Sequence, residues 1–238
     1  MAKQTGLGGG LWVDEFNLSN DTQSMTANGG PALLDVTGID SSGVERLGGK
    51  RDGNLGGTFY FNDATGKAHT VLKALPTTDT IVTYMQGTTL GDAACSLTAK
   101  QLNFDGTRGE DGSLVFDMQA ASSDLGLVWG KMGTAGLLDD TGTTNEASID
   151  NLAASTAGLR AFLHVTEFTG TNATIQVQES SDDGSGDAFG SIAAFTTVTG
   201  VGAEAIAVTG AIERYLRVSI SAVTALTSIT WGVMVARL

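Results

Sequence analysis

The chain is poor in the residues that build catalytic centres, metal sites and disulfides. Its 238 residues include 2 His, 1 Cys and 2 Pro, and aromatic residues make up 6%. A single cysteine cannot form an internal disulfide, so Cys95 is predicted to be a small buried hydrophobe within an apolar strand. No apolar run approaches the roughly 20 residues of a membrane span, and the opening MAKQTGLGGG lacks the apolar centre of a signal peptide. These absences predict a soluble protein, made in a reducing cytoplasm and without a membrane partner.

Positive charge is also scarce. The chain carries 26 Asp and Glu against 13 Lys and Arg, a formal net charge of −13. Residues 1–140 hold 17 of the acidic and 9 of the basic residues, so both halves of the chain are acidic. Gripping nucleic acid through its phosphates requires clustered Lys and Arg, which this balance argues against. It is compatible with DNA that passes by without adhering, because like charges repel.

Residues that could carry catalysis are too dispersed to form a recognisable set. Neither His69 nor His164 has a second His or Cys at metal-ligand spacing, so both are interpreted as surface or core histidines. The glycine clusters at 6–10 and 48–49 lack the strand, helix and spacing of a phosphate-binding loop. We therefore predict that the protein is not an enzyme and has no catalytic, cofactor-binding or metal-binding residues.

One acidic turn leaves an alternative open. Asp182, Asp183 and Asp187 lie in the Gly-rich segment SDDGSGD. Calcium favours clustered carboxylates of this kind, but the spacing does not match an EF-hand loop and the closing Glu is absent. A solvated hairpin tip is the better interpretation, and whether these residues bind a metal ion stays open.

The segment from 56 to 119 predicts a strand-rich module with a single helix. Apolar residues spaced along one face indicate a helix that Asn62 or Asp63 caps and Pro76 ends. The flanking segments alternate as strands. The predicted elements are strands Gly56–Asn62, Thr80–Gln86, Cys95–Phe104 and Ser113–Gln119 and the helix Asp63–Leu75. A lone amphipathic helix against a sheet is a packing unit, which suits a building block of an assembly.

The remainder of the chain predicts a second β domain. A weakly patterned stretch near Leu138–Glu146 is interpreted as a linker. Beyond it, strands recur about every 8–14 residues between Gly, Asp or Ser turns, as in an antiparallel β-sandwich. We predict domains at 1–140 and 141–238. The three tryptophans, each flanked by apolar neighbours, are expected to pack in cores; they are Trp12, Trp129 and Trp231.

The densest positive charge falls in a Gly-rich connection at residues 44–55 (VERLGGKRDGNL), which is predicted to be a long loop. Lys50 and Arg51 lie between the pair Gly48-Gly49 and Gly53, and Arg46 precedes the pair. We take Glu45, Arg46, Lys50 and Arg51 as a hypothetical contact site, because positive charge gathers there on an otherwise acidic chain, and acidic copies in contact need complementary charges. A solvated hairpin, with charges contributing about 0–1 kcal/mol each, is the alternative.

Two stretches resemble a known family. PALLDVTGIDSSGVERLGGKRDGNLGGTFYFN, followed by GKAHTVLKALPTTDTIVTY, resembles the major tail (tail tube) protein of long-tailed, non-contractile bacteriophages. The second half, from LRAFLHVTEFTGTNATIQVQESSDDGSGDAF to ERYLRVSIS, is similar to the extra C-terminal β-sandwich that many such proteins carry. The resemblance covers nearly the whole chain, although it lacks an invariant signature.

The resemblance implies a structural virion protein. Tail tube proteins form hexameric rings that stack into a hollow tube, whose β-barrel lumen conducts DNA during ejection without sequence-specific binding. A helix packs outside the sheet and a long loop between early strands bridges the rings, which would be residues 44–55 here. The appended domain decorates the tube. Implied partners are further copies of the chain, the tape measure, tail tip and terminator proteins, with assembly in the host cytoplasm and a final location in the virion tail.

Other classes remain open at this point. A capsid decoration or neck protein would also be acidic and strand-rich, and a carbohydrate-binding tail adhesin could use the C-terminal sandwich with an exposed tryptophan. A virion-borne depolymerase is disfavoured, because neither an acid–base pair nor a nucleophile set is visible.

Overall fold

The computed structural model describes residues 8–76 and 78–238, which are mainly β. This confirms the predicted fold class. In chain order the described strands are β1 Gly10–Val13, β2 Phe16–Asn17, β3 Thr22–Asp35, β4 Arg46–Tyr60, β5 Thr80–Met85, β6 Ala93–Arg108, β7 Leu114–Ser122, β8 Val128–Met132, β9 Leu138–Asp140, β10 Thr144–Asn145, β11 Ile149–Asp150, β12 Leu159–Thr169, β13 Asn172–Ser180, β14 Gly190–Ala194, β15 Gly202–Val208, β16 Tyr215–Thr224 and β17 Ser228–Arg237. The described helices are α1, Ala68–Leu72, and a 3-10 turn at Ser19–Asp21. Within the described residues, no helix is long and apolar enough to cross a membrane.

The described residues form two compact units. The first contains residues 8–20, 81–96 and 129–238, and the second contains 21–76, 78–80 and 97–128. β6 runs through both, since its first four residues belong to the first unit and the others to the second. This grouping differs from two consecutive blocks of sequence. The predicted boundary between residues 140 and 141 stays a prediction.

The first unit is a β-sandwich. One sheet has the order β15-β12-β17-β8-β6-β5-β1-β2, with β9 beside β17, and the other has the order β10-β16-β13-β14, with β11 beside β16. Alternate residues of β12, β17, β13 and β16 point between the sheets and form the core. Trp231 lies in this core and Trp12 is 2% exposed, as expected. Trp129 is 49% exposed, so its predicted core position is wrong.

The second unit is an antiparallel sheet of β3, β4, β7 and β6, with α1 against one face. The ring of His69 on α1 lies 5.7 Å from Phe104 and 5.1 Å from Phe116, centroid to centroid. Gln101 Nε2 also donates to the carbonyl of Leu72 at 2.7 Å. A sheet with one helix-covered, apolar face matches the module predicted from the sequence.

The helix is shorter than predicted and is capped differently. Instead of Asp63–Leu75 it spans Ala68–Leu72, because Gly66 at φ 73° and Leu75 at φ 45° leave the helical region on either side. Neither Asn62 nor Asp63 caps it. The N–H of Ala68 donates to Asp21 Oδ2 at 3.0 Å, so the capping carboxylate is distant in the sequence.

Candidate functional site: an exposed β-hairpin arm

The outer parts of β3 and β4 form a two-stranded ribbon. β4 pairs with β7 from Asn54 to Tyr60, whereas β3 and β4 stay paired out to Asp35 and Arg46. We call residues 30–52 the arm. The predicted loop at 44–55 is therefore wrong: its glycines sit in extended strand rather than in turns. A two-stranded hairpin is marginally stable alone in water, so the arm is expected to gain stability from a partner surface.

One face of the arm is apolar. Leu34 and Leu47 are directly opposite each other, and opposed residues of an antiparallel pair share a face. Val36 lies two residues beyond Leu34, so it shares that face. The exposed fractions of these three side chains are 52%, 57% and 45%. Leu33, on the other face, is 66% exposed. Exposed aliphatic side chains gathered on one ribbon mark a contact surface.

At the base of the arm, Leu127 lies so close to the paired strands that only glycine fits opposite it. Gly29 and Gly53 are partners in the β3–β4 pairing, and Leu127 lies against both. A Cβ on Gly53 would come within 2.4 Å of the Leu127 backbone nitrogen, and one on Gly29 within 2.7 Å of the Leu127 Cβ. Leu127 is 9% exposed. The glycine pair and Leu127 therefore fix the point where the arm leaves the sheet.

Polar bonds close the tip of the arm. The Asp35 carboxylate accepts hydrogen bonds from the N–H and the hydroxyl of Thr37, at 3.0 and 2.6 Å. These bonds favour the ionised form and lower the pKa of Asp35. The hydroxyl of Ser41 donates to Glu45 Oε1 at 2.8 Å. The tip is thus an ordered turn in which Glu45 already has a partner.

The four predicted contact residues all lie on the arm. Arg46, Lys50 and Arg51 are exposed residues of β4, and Glu45 is exposed just before it. The three cations form no ion pair with another described residue. Their contact role stays a prediction.

Sequence reasoning found the charges of the arm and missed its apolar face. The available signal was the run of apolar residues in PALLDV followed by Leu47 in a Gly-rich strand. It becomes meaningful once the pairing register sets Leu34 against Leu47.

The second unit also has a polar face. Asp117 lies between Phe116 and Met118 on β7, so it points away from the helix-covered side. The Thr58 hydroxyl donates to Asp117 Oδ1 at 2.7 Å, and Asn103 Nδ2 donates to Asp105 Oδ2 at 2.6 Å. The neighbouring positions on this face are likewise small or polar: Ser24, Thr26, Asn28, Asn54 and Gln119. This surface is acidic and offers little apolar contact.

A buried hydrogen-bonded chain in the first unit resembles a catalytic relay but is closed to solvent. His164 and Thr83 are 0% exposed, and their Nε2 and Oγ1 atoms are 2.7 Å apart. Thr83 also bonds Ser96, and His164 Nδ1 lies 2.7 Å from the Asp14 carbonyl, to which it donates. Burial lowers the pKa of His164 to about 4. Since no substrate can reach these groups, His164 is a satisfied core histidine, as predicted, whereas His69 is half-buried among phenylalanines.

Burial also determines the protonation state of the lone cysteine. Cys95 is fully buried, as predicted, and desolvation raises the pKa of its thiol to about 12. A thiol held in its protonated form is a poor nucleophile.

The acidic turn is organised by its own carboxylates. Asp182 accepts hydrogen bonds from the N–H groups of Ser185, Gly186 and Asp187 at 3.0, 2.6 and 3.1 Å. These bonds lower the pKa of Asp182. Across the described residues, no group of three His, Cys, Asp or Glu is arranged to hold a metal ion. The geometry is that of a hairpin tip.

No protein-family model matches the chain, and no curated protein sequence matches it. Several solved structures are similar. One is a chain of the virion of a native gene transfer agent particle, with 16% identity over 52% of this chain and 97% of that chain and a TM-score of 0.44. Another is the SPP1 Dit protein, described as a hub of the adsorption apparatus of phages that infect Gram-positive bacteria. It has 12% identity over 94% of this chain and 98% of its own, with a TM-score of 0.33.

A third is a chain of the phage p2 baseplate, with 8% identity over 97% of this chain and 98% of that chain and a TM-score of 0.36. These neighbours are tail, hub and baseplate proteins. With TM-scores below 0.5 and such low identities, the likenesses do not assign this chain to a family.

Proposed function

We propose that the chain is a structural protein of a bacteriophage tail, which assembles as stacked rings, six copies to a ring, into a tube that conducts DNA. The resemblance of its sequence to tail tube proteins motivates the proposal. The observation that carries it is the pair of open edges in the sheet β3-β4-β7-β6.

The first open edge is β3. Among the described strands, β3 pairs with β4 alone. The second is β6 beyond residue 100, because β5, its neighbour, begins only at Thr80, whose Oγ1 donates to the Ala99 carbonyl. Exposed edges are usually protected, since unpaired N–H and C=O groups recruit other strands. A ring in which β3 of one copy joins β6 of the next satisfies both edges and closes a barrel.

The polar face of the same sheet suits a channel for DNA. In a closed ring the α1 side faces outward and the side of Asp105 and Asp117 faces the lumen. Carboxylates there repel phosphates, and Lys100, which lies on the same face, is paired with Asp79 at 2.8 Å. DNA would then slide through without sequence-specific binding.

The arm is suited to join one ring to the next. It extends beyond the sheet, its apolar face is uncovered, and Arg46, Lys50 and Arg51 add positive charge to an acidic chain. We further propose that residues 141–238 decorate the outside of the tube, and that other tail proteins, such as the tape measure, tail tip and terminator, cap or fill it.

Electron microscopy of the purified full-length chain, and of virions, tests the proposal. We expect tubes with a ring repeat and a central channel, which helical reconstruction should resolve to six copies with β3 against β6. A protein that stays monomeric at high concentration, together with antibody labelling confined to the capsid, would reject it.

A further inference from the structure

The first unit carries a second exposed apolar site, beside a turn held by three cations. We call residues 150–155 the clasped turn. Lys131 Nζ donates to the Asp150 carbonyl at 3.2 Å, and Arg214 forms a two-bond ion pair with the Asp150 carboxylate at 2.7 and 2.6 Å. Arg237 Nη1 donates to a further carbonyl of the turn at 2.7 Å. Such bonds hold the backbone of the clasped turn in one conformation.

The clasped turn presents a leucine to solvent. Leu152 is 81% exposed and has φ 69°, a backbone region that costs free energy for a residue with a side chain. Its N–H donates to Asp150 Oδ1 at 2.7 Å, which helps to hold it there. An aliphatic side chain kept largely in water by a strained backbone is unfavourable for the isolated subunit, and this indicates that a partner covers it.

A tryptophan lies on the same side of the sandwich. Trp129 is two residues before Lys131 on β8, so the two side chains share a face. Lys131 is opposite Val235 on β17, and continuing that register sets Trp129 opposite Arg237. Trp129 is 49% exposed. By this register Trp129 lies beside Lys131 and Arg237, the two cations that donate to carbonyls of the clasped turn.

The charge of this site is opposite to that of the whole molecule. Residues 129–238 contain five basic residues, Lys131, Arg160, Arg214, Arg217 and Arg237. Three of them bond the clasped turn: Arg214 pairs with the Asp150 carboxylate, whereas Lys131 and Arg237 donate to backbone carbonyls. Glu179 is a further carboxylate near Arg237, so the cations of the site outnumber its carboxylates by three to two. The chain itself carries −13. Tryptophan and arginine are also the residues that dominate binding energy at protein interfaces.

We infer that Trp129 and Leu152, with their surrounding cations, dock onto the acidic surface of a second copy of this chain. Charge complementarity selects a copy, because the chain is acidic overall, with 26 Asp and Glu against 13 Lys and Arg. The apolar pair supplies the affinity and the cations supply the orientation. The inference does not depend on the copies forming a tube.

Self-association of the full-length chain tests the inference. In sedimentation equilibrium we expect Leu152→Asp and Trp129→Ala each to weaken association about tenfold, the size of effect typical of an interface anchor. Val201→Asp is the matched control, since Val201 is 53% exposed in the same unit, and it should leave association unchanged. Equal melting temperatures exclude unfolding as the cause. Association that is unchanged in both variants, or absent from the native chain, would overturn the inference.

A photo-crosslinking residue at position 152 provides the second measurement. We expect mass spectrometry to find it joined to an acidic segment of another copy. Crosslinks to a different virion protein, or none within assembled tubes, would overturn the docking site while leaving the proposed tube intact.

Discussion

Leu34 and Leu47 oppose each other across the arm, and about half of each side chain is exposed, 52% and 57%. Fully burying an exposed leucine side chain at an interface contributes about 1.5–3 kcal/mol to the free energy of association. We therefore predict that Leu34→Ser with Leu47→Ser stops tube elongation, measured as tube length by electron microscopy. The melting temperature should change little, since the pair adds nothing to the core of the subunit. Leu33→Ser, on the other face, is the control, and tubes of normal length from the double variant would contradict the prediction.

The positive charges of the arm are expected to act at the same contact between neighbouring rings. Replacing Arg46, Lys50 and Arg51 together with Glu should block elongation in low salt, because the arm would then repel an acidic neighbour. Roughly 1 M salt shortens the screening length to about 3 Å, so it should restore much of the tube length. Lys73→Glu on the exposed helix surface controls for net charge. If the triple variant elongates normally in low salt, these residues are solvated and contribute about 0–1 kcal/mol each.

Asp21 joins the start of α1 to a distant part of the chain. Its carboxylate accepts hydrogen bonds from the Ala68 N–H and from Asn62 Nδ2, at 3.0 and 2.8 Å, and the residue is 7% exposed. Asp21→Ala would leave both donors without this partner, which we expect to cost about 1–3 kcal/mol of unfolding free energy. Asp63→Ala should cost far less, because Asp63 is exposed and its side chain does not cap the helix. Urea denaturation of both variants measures the difference, and equal losses would contradict it.

Local pattern explains which parts of this fold could be predicted from the sequence. Alternation in β7 and β16 predicted strands, and the apolar stripe around Ala68 and Leu72 predicted the helix position, because both signals lie within a few residues. The Asp21 cap could not be predicted, since it joins residues 47 positions apart. The glycines of β4 suggested a loop, yet Gly53 is required by the close approach of Leu127, which is visible only in three dimensions.

The glycine at the base of the arm should be sensitive to a single methyl group. A Cβ on Gly53 would lie 2.4 Å from a backbone nitrogen, whereas one on Gly30 would have nothing within 4 Å. We predict that Gly53→Ala lowers the unfolding free energy by about 1–3 kcal/mol through overpacking, and shortens tubes by displacing the arm. Gly30→Ala is the matched control and should behave like the native chain. Equal stability of the two variants would show that Leu127 can move aside without cost.

The buried His164 makes the stability of the first unit depend on pH. Its pKa is lowered from 6.5 to about 4 by burial, so the folded state holds the neutral ring and the unfolded state binds a proton first. The stabilisation is complete above pH 6.5 and is lost as the pH falls toward 4. The shift corresponds to about 3 kcal/mol. Burial raises the pKa of Asp14 to about 6, which acts in the opposite direction, because the folded state then binds the extra proton.

A His164→Gln variant separates these two contributions. The variant keeps the Asp14 contribution, which stabilises it as the pH falls from 6 toward 3.8, but it lacks the His164 contribution. The native chain should therefore be more stable than the variant above pH 6.5, and this difference in unfolding free energy should shrink steadily from pH 6.5 to pH 4. Urea titrations of both proteins across this range measure that difference, and subtraction removes the contribution of Asp14 together with those of the other carboxylates. A stability difference that stays constant between pH 7 and pH 4 would mean that His164 does not titrate differently in the folded and unfolded states.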